Sequence, residues 1–276
     1  MRLPISERDI ILRKGGKGLK KWLVVAAIVM LAASLACAEP VSDPLKWSQL
    51  PDMIMGLDWS SEVKVPSIVA DDWLCTNGLP VTDIHWWGSY WVPVQPGAYS
   101  NYSDARPGAP PGGITKFILK IYSDVPAGPT NPFSFPGQLL WQYETTNFNE
   151  VLYGVTQGGA GNPPEEVYQY YVKLPQDMWF MQERGQIYWL SIEAVMLDPT
   201  GAPITDKQWG WHESKHHWND AAVQDFKGSG WVALNNNLYD VDMAFELTTI
   251  PEPGSLLAFG TGIVGIVGIM LRKRRA

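Results

Sequence analysis

The sequence predicts an all-β fold, an antiparallel, jelly-roll-like β-sandwich placed between two apolar terminal segments. Short runs of alternating apolar and polar residues recur along the chain, as expected when one face of a sheet is buried. The 26 glycines and 22 prolines cluster between these runs and argue against long helices. The 14 tryptophans also suit pleated sheets better than helices.

Residues 1–38 predict a signal peptide. A basic segment precedes an apolar stretch of fourteen residues, Trp22–Leu35, which is followed by Ala36-Cys37-Ala38. A basic start, an apolar middle and a small-x-small end are typical of secretory signals, and we expect cleavage between Ala38 and Glu39. The apolar stretch is shorter than the ~20 residues that a membrane span prefers. This length disfavours the alternative, an uncleaved N-terminal anchor.

Residues 39–250 predict the exported β-sandwich domain. In TKFILKIYS and VDMAFELTT one set of alternate positions is mostly apolar, which indicates strands with one buried face. Turn-forming sequences such as TQGGAGNPPEE separate the candidate strands. One short helix is expected near Ser214–Phe226. The predicted strands are Ser67–Cys75, Thr82–Trp91, Thr115–Tyr122, Gln138–Tyr143, Glu166–Lys173, Gln186–Glu193, Gln208–His212, Gly230–Leu234 and Val241–Thr248.

Residues 251–276 predict a transmembrane helix with a basic tail. Leu256–Leu271 holds sixteen uncharged residues, and a helix of this length extends about 24 Å, somewhat less than the ~30 Å hydrocarbon core. Its glycines would destabilise a soluble helix but are tolerated in lipid. The tail Arg272–Arg275 stays cytoplasmic by the positive-inside rule, so residues 39–250 are expected outside the membrane. The prolines at 251 and 253 make an extended, exposed joint before the helix.

The tripeptide Pro251-Glu252-Pro253, the Gly-rich apolar helix and the Arg-rich end occur in this order at the C-terminus. Together they resemble the PEP-CTERM sorting signal. This resemblance implies that exosortase, a membrane-embedded transpeptidase, recognises Pro251, Glu252 and Pro253 and processes the protein. It also implies an origin in bacteria that make exopolysaccharide. The alternative is a plain C-terminal anchor.

A second resemblance covers residues 46–246. It rests on the segments KWSQLPD (46–52), VADDWLCT (69–76), VTDIHWWGSYW (81–91), IYSDVP (121–126) and HWNDAAV (217–223). These segments resemble an uncharacterised domain of bacterial secreted proteins that often carry sorting tails of this kind. The resemblance implies no activity.

The charge of the exported part argues against nucleic-acid partners. Residues 1–38 hold seven basic and two acidic residues, and the C-terminal tail holds four basic residues. Residues 39–271 therefore keep 10 basic and 26 acidic residues, a net charge of −16. A domain this acidic repels phosphate backbones, whereas it attracts divalent cations.

The segment His212-Glu213-Ser214-Lys215-His216 matches the H-E-x-x-H motif of zinc proteases. That motif works on a helix, where histidines four residues apart reach one metal ion. Here a strand-like QWGW precedes it, and no third ligand follows at a recognisable spacing. A polar loop is therefore favoured over a protease, with His212 and His216 kept as candidates for an incidental metal site.

Four aspartates are candidate ligands for Ca²⁺, which prefers carboxylate oxygens. They are Asp71, Asp72, Asp240 and Asp242. Each pair also fits a turn or the start of a strand, which is the alternative. Asp71 or Asp72 could pair with a distant glutamate in a glycosidase, but nothing in the sequence brings such a pair together. No other cofactor is expected.

Tryptophans in the strand Thr82–Trp91 are candidates for stacking on sugar rings. The alternation places Trp87 and Trp91 on one side of the strand and Trp86 on the other. One side belongs to the core, so Trp87 and Trp91 are the candidates for the exposed side. Burial in the core is the favoured alternative, because large aromatic side chains dominate sandwich interiors.

Together these patterns predict a non-enzymatic exported protein of the cell surface or extracellular matrix, structural or adhesive in association with exopolysaccharide. Its expected partners are an exosortase-type transpeptidase and, before processing, the membrane that holds the C-terminal helix. The first alternative is a carbohydrate-binding module that uses exposed tryptophan. A secreted hydrolase is the less favoured alternative.

Overall fold

Antiparallel strands build the whole described part of the molecule. The computed structural model describes residues 44–95, 98–101, 113–157, 164–205, 207–235 and 239–250. These residues contain fourteen strands, one 3-10 turn at Gln176–Met178 and no α-helix. The strands are β1 Leu45–Gln49, β2 Asp58–Ser60, β3 Ser67–Leu74, β4 Asp83–Gln95, β5 Ala98–Asn101, β6 Ile114–Val125, β7 Phe135–Thr145, β8 Asn149–Val155, β9 Glu166–Lys173, β10 Ile187–Met196, β11 Gln208–His212, β12 Val223–Phe226, β13 Trp231–Ala233 and β14 Phe245–Thr248.

The first sheet has eight strands arranged around β4, which is 13 residues long. Strands β14 and β11 pair with successive parts of one edge of β4. Strands β9 and β5 pair with successive parts of the other edge. The outer neighbours are β1 beside β14, β2 beside β11 and β8 beside β9. Because β4 is long, four strands can pair with it, two along each edge.

The second sheet has six strands in the order β13-β12-β3-β10-β6-β7. All its pairs are antiparallel. Strand β3 lies in its centre and carries the sequence SIVADDWL, of which most residues are buried. The two adjacent aspartates of β3 therefore lie at the middle of a sheet rather than in a turn.

Aromatic side chains from both sheets fill the space between them. Trp86 of β4 and Phe117 of β6 have ring centroids 4.8 Å apart, and Trp73 of β3 lies 6.4 Å from Phe245 of β14. Tyr170 of β9 also contacts Phe117 at 5.0 Å. Because each aromatic side chain buries roughly 150–250 Å², these contacts account for much of the packing of one sheet on the other. The architecture is an antiparallel β-sandwich.

The sequence predicted this architecture in part. Each of the nine predicted strands overlaps an observed one, and Glu166–Lys173 and Gln208–His212 agree at both ends. The short helix expected near Ser214–Phe226 is wrong, because residues 223–226 form β12 and pair with β3. The strands β1, β2, β5, β8 and β12 were not predicted. The fourteen strands of the described residues also exceed the eight of a simple jelly roll. The structure therefore supports the antiparallel β-sandwich rather than the jelly roll.

The expected signal peptide (residues 1–38) and the expected transmembrane helix and sorting signal (residues 251–276) lie outside the described residues. Within the described residues, no helix has the length and apolar character that a membrane span requires.

Candidate functional site

The candidate site lies on the outer face of the eight-stranded sheet. Alternation along β11 directs Trp209 and Trp211 into the core between the sheets. Gln208, Gly210 and His212 therefore face the other way. Gly210 lets β2 pack closely here, because a Cβ atom at this position would lie 2.7 Å from the Cβ of Asp58.

His212 is fully buried on this face, between two carboxyl groups. Its Nδ1 lies 2.8 Å from Asp58 Oδ1 and 3.6 Å from Glu165 Oε1, and the exposed fractions of the His212, Asp58 and Glu165 side chains are 0%, 0% and 5%. Its Nε2 lies 3.1 Å from the backbone oxygen of Asp52. The segment before β2 covers the ring, and Gly56 allows this, because a Cβ atom there would lie 2.7 Å from His212 Nε2.

Burial strongly affects the protonation of this cluster. Burial, together with the negative charge of Asp58, raises the pKa of Glu165 to about 11. Burial acts to lower the pKa of His212, but its contacts with Asp58 outweigh this effect, so the pKa of His212 is raised. Burial also raises the pKa of the adjacent Glu213. The cluster therefore holds protons where exposed carboxyl groups would have lost them.

A shallow pocket of about 230 Å³ lies next to this cluster. Its lining residues are Asp58, Ser60, Trp91, Gln208, Trp209 and Gly210. The half-buried Trp91 donates its Nε1–H to Asp58 Oδ2 at 3.1 Å, so the carboxylate that contacts His212 also fixes the indole. Ser60 Oγ is buried and has no hydrogen-bond partner among the described residues. The pocket thus combines an aromatic side chain with polar groups that could accept a ligand.

A second group of buried carboxyls lies around β3. Asp71 Oδ2 accepts the backbone N–H of Met243 at 2.7 Å, and Asp242 Oδ2 accepts that of Trp218 at 2.6 Å. The side-chain amide of Gln49 bridges Asp71 and Asp242, at 3.4 and 3.0 Å. These bonds hold the ends of β1 and β14 and the loop before β12 against β3.

Asp72 belongs to the same group but lies on the other face of β3. Its Oδ2 accepts an N–H of the Asn219 side chain at 2.8 Å, whereas its Oδ1 is buried without a partner among the described residues. Burial raises the pKa of Asp72 to about 8, and the nearby Asp242 and Asp220 also raise it. Burial likewise raises the pKa of Asp242 to about 6.

The structure does not bring the four predicted calcium ligands together. Asp71 and Asp242 share Gln49, Asp72 lies on the opposite face, and the exposed Asp240 accepts a hydrogen bond from Asn235. Among the described residues, the acidic and histidine side chains whose ligand atoms converge within 4.8 Å are instead Asp58, Glu165 and His212.

The histidines of the H-E-x-x-H string are also separated. His212 ends β11 and is buried, whereas His216 is exposed in the following loop, where its backbone N–H bonds to Ser214 Oγ. Without a helix, the spacing of four residues does not aim both rings at one point. The pair therefore does not form the predicted incidental site, although His212 itself lies in a ligand-rich cluster.

The two tryptophan candidates differ in exposure. Trp87 points away from Trp86, as the alternation predicted, because Trp86 packs in the core and Trp87 in a separate outer cluster with Met53. Trp87 is nevertheless only 1% exposed, since Met53 and Tyr153 cover it. Sugar stacking on Trp87 is therefore wrong for this structure. Trp91 lines the pocket and stays a candidate.

Sequence reasoning missed Asp58, Ser60 and Glu165. Asp58 and Ser60 lie on the three-residue strand β2, which is too short to show alternation. Glu165 comes directly after the turn-forming sequence GNPP and just before β9, so the local pattern indicated a loop. The signal that could have suggested Asp58 is its place in the DWS triplet, where a carboxylate precedes a tryptophan in a strand.

Comparison with protein families identifies the domain. The family described as Domain of unknown function (DUF7901) matches residues 45–248. The chain belongs to this family. The DUF7901 match covers both sheets and confirms the resemblance to an uncharacterised secreted domain. No curated protein and no solved structure matches the chain significantly.

The PEP-CTERM protein-sorting motif matches residues 249–275, which confirms the resemblance of the C-terminal tail. This motif includes Pro251, Glu252 and Pro253 and implies processing by exosortase. The DUF7901 domain is therefore part of an exported cell-surface protein. Its structure and its sorting motif identify no ligand.

Proposed function

We propose that this protein is a non-enzymatic component of the cell surface that associates with exopolysaccharide, and that the pocket at Trp91 binds a sugar unit. The observation that carries the proposal is the pocket itself, in which the half-buried Trp91 lies beside the half-buried side chain of Gln208. The sorting motif supports the cell surface as the place where the protein acts, because exopolysaccharide is found there.

The indole of Trp91 is suited to a sugar ring because its orientation is held. The hydrogen bond from Nε1 to Asp58 Oδ2 removes rotational freedom that binding would otherwise have to overcome. The half-buried Gln208 lines the same pocket, and its side-chain amide can exchange hydrogen bonds with sugar hydroxyl groups. At about 230 Å³, the pocket is smaller than the ~300–1,000 Å³ of most small-molecule sites. Its size therefore suits one sugar unit of a polymer.

The charge of the domain favours a neutral polysaccharide. Residues 39–271 carry a net charge of −16, and Asp58 adds a carboxylate to the pocket itself. Anionic polymers would be repelled by both. We therefore expect neutral hexose polymers to bind better than uronic-acid polymers, and more so at low ionic strength.

The separation of His212 from His216 supports a binding role over a protease. The two rings lie apart and only His216 is exposed, so the H-E-x-x-H string lacks the arrangement that activates a water molecule on zinc. An adhesive or structural role requires a surface that binds a partner, but it requires no group that reacts. The pocket at Trp91 could provide such a surface.

Affinity electrophoresis of the full chain in detergent tests this proposal, with gels that contain the exopolysaccharide of the producing bacterium. We expect the wild type to be retarded and Trp91→Ala to lose at least tenfold in affinity, since stacking on an aromatic ring contributes ~1–3 kcal/mol in comparable systems. Trp231→Ala is the matched control, because Trp231 is also half-buried but lies on the six-stranded sheet. Equal retardation of Trp91→Ala and the wild type, or no retardation of the wild type, would contradict the proposal.

A further inference from the structure

The buried cluster of Asp58, Glu165 and His212 brings one imidazole and two carboxyl groups close together. His212 Nε2 lies 3.1 Å from the backbone oxygen of Asp52. A carbonyl oxygen accepts and cannot donate, so Nε2 carries the hydrogen. Nδ1 then faces Asp58 and Glu165 with either a lone pair or a second proton. A backbone carbonyl bound to one ring nitrogen is also the usual partner of a histidine whose other nitrogen binds a metal ion.

The distances between the three side chains fit a coordination polyhedron. The Nδ1 atom of His212 lies 2.8 Å from Asp58 Oδ1 and 3.6 Å from Glu165 Oε1. Ligand atoms at ~2.0–2.2 Å from a metal ion, in octahedral or tetrahedral geometry, are separated by about 2.8–3.6 Å. One ligand atom from each of the three groups lies within 4.8 Å of those of the other two. One cation could therefore reach all three with small movements.

The charge around the cluster also favours a cation. Glu213, which is 1% exposed, lies next in the chain after His212, and its Oε2 has no hydrogen-bond partner among the described residues. Three carboxyl groups thus share a buried region with one imidazole. Such a group needs bound protons or a cation, because isolated buried carboxylates are very unfavourable.

We propose that Asp58, Glu165 and His212 bind a first-row divalent metal ion, Zn²⁺ or Mn²⁺, through Asp58 Oδ1, Glu165 Oε1 and His212 Nδ1. A mixed set of one imidazole and two carboxylates suits these ions, whereas Ca²⁺ and Mg²⁺ prefer oxygen ligands alone. The ligands come from β2, from the residue before β9 and from β11. The ion would tie the short edge strand β2 to its neighbour β11 and to the residue before β9, a structural role for a buried site.

This site is independent of glycan binding, although Asp58 contributes to both. The pocket uses Asp58 Oδ2, which accepts the Trp91 N–H, and the metal would use Oδ1. Metal content and affinity can be measured without any sugar, so a failure of either proposal leaves the other open to its own test.

The test compares metal binding by the full chain, purified in detergent without chelator, and by two variants. Metal content is measured by inductively coupled plasma mass spectrometry. After dialysis against EDTA, binding of Zn²⁺, Mn²⁺ and Ca²⁺ is measured by calorimetry. We expect one equivalent of Zn²⁺ or Mn²⁺, weaker binding of Ca²⁺, and a lower melting temperature of the metal-free protein.

Glu165→Gln is the decisive variant, because glutamine has the shape of a protonated glutamate and preserves its hydrogen bonds. If the cluster binds a metal ion, this variant folds but binds at least about 100-fold more weakly, since losing a ligand costs no less than losing an outer-shell partner. Glu150→Gln is the matched control. Glu150 is a carboxyl group of the same sheet that is half-buried rather than fully buried, and it accepts hydrogen bonds from Tyr90 and Tyr170 instead of contacting a histidine.

Three outcomes would overturn the proposal. The first is a wild-type protein that binds neither Zn²⁺ nor Mn²⁺. The second is undiminished binding by Glu165→Gln, which would place the ion elsewhere. The third is a preference for Ca²⁺. If neither the wild type nor Glu165→Gln binds metal, their stabilities can be compared directly. Equal stability would show that a proton shared between the carboxyl groups, and not a cation, stabilises the cluster.

Discussion

The carboxyl groups around β3 and those around His212 are buried in the same sandwich but have different partners. Asp71 and Asp242 accept hydrogen bonds from the backbone N–H groups of Met243 and Trp218 and from Gln49, and Asp242 also lies 2.8 Å from Nδ1 of the exposed His217. Asp58 and Glu165 instead both approach one nitrogen, Nδ1 of the buried His212. The β3 group thus obtains most of its donors from the backbone that it holds in place. The His212 group has a buried side chain as its main positive partner.

This difference indicates that the β3 group is structural and that the His212 group could bind a ligand. Buried carboxylates that accept several backbone N–H bonds are satisfied without any other partner. The two carboxyl groups at His212 repel each other unless a proton or a cation lies between them. The residues that the sequence suggested as metal ligands around β3 therefore act as connectors. The better ligand set combines His212, which the sequence suggested, with Asp58 and Glu165, which it did not.

The largest effect should follow removal of His212. His212→Ala leaves Asp58 and Glu165 buried without their imidazole, and loss of one partner from a buried ion pair costs about 3–5 kcal/mol. We expect a decrease of this size in the free energy of unfolding, measured by urea denaturation. The exposed His216→Ala is the control and should change stability by less than ~0.5 kcal/mol. If the two substitutions lowered the free energy of unfolding equally, His212 would contribute no more to stability than His216 does.

A smaller effect is expected from closing the space over the ring. A Cβ atom at Gly56 would lie 2.6 Å from the Asp52 backbone oxygen and 2.7 Å from His212 Nε2. Gly56→Ala should therefore lower the free energy of unfolding by about 1–3 kcal/mol, as overpacking does, in thermal or urea denaturation. At Gly128 a Cβ atom would meet no atom within 4 Å, so Gly128→Ala is the control. If Gly56→Ala leaves the free energy of unfolding unchanged, the segment before β2 does not hold the imidazole of His212 in place.

A third prediction concerns the pH dependence of the β3 group. Burial raises the pKa of Asp72 from 3.8 to about 8, so between these values the folded state binds a proton that the unfolded state has released. The contribution of Asp72 to stability is therefore present at low pH and is lost as the pH rises towards 8. Asp72→Asn should flatten this fall.

The measurement is urea denaturation of both proteins at pH 5 and pH 8. Asp177→Asn, which changes an exposed carboxyl group on the 3-10 turn, serves as the control and should leave the pH dependence unchanged. A wild-type protein whose stability rises between pH 5 and pH 8, with the same rise in Asp72→Asn, would show that Asp72 is ionised in the folded state.

The strands that the sequence predicted are those with clear local patterns. Alternation in ITKFILKIYSDV predicted β6, because one face of this strand is buried and the other is not. The missed β8 shows the opposite case, because most of NEVLYGV is exposed on both faces at the edge of its sheet. The wrong helix near Ser214–Phe226 has a similar cause. The pairing of β12 with β3 overrides the weak local preference of a polar segment.

By itself, the sequence determined the all-β class, the separation of Trp86 from Trp87 and the sorting motif at residues 249–275. These features depend on neighbouring residues in the chain, so their patterns can be read locally. Only the tertiary structure decided that Met53 covers Trp87 and that Asp58 meets His212, which is 154 residues away. Such contacts depend on how β2 and the segment before it fold over β11, and no local periodicity records that packing.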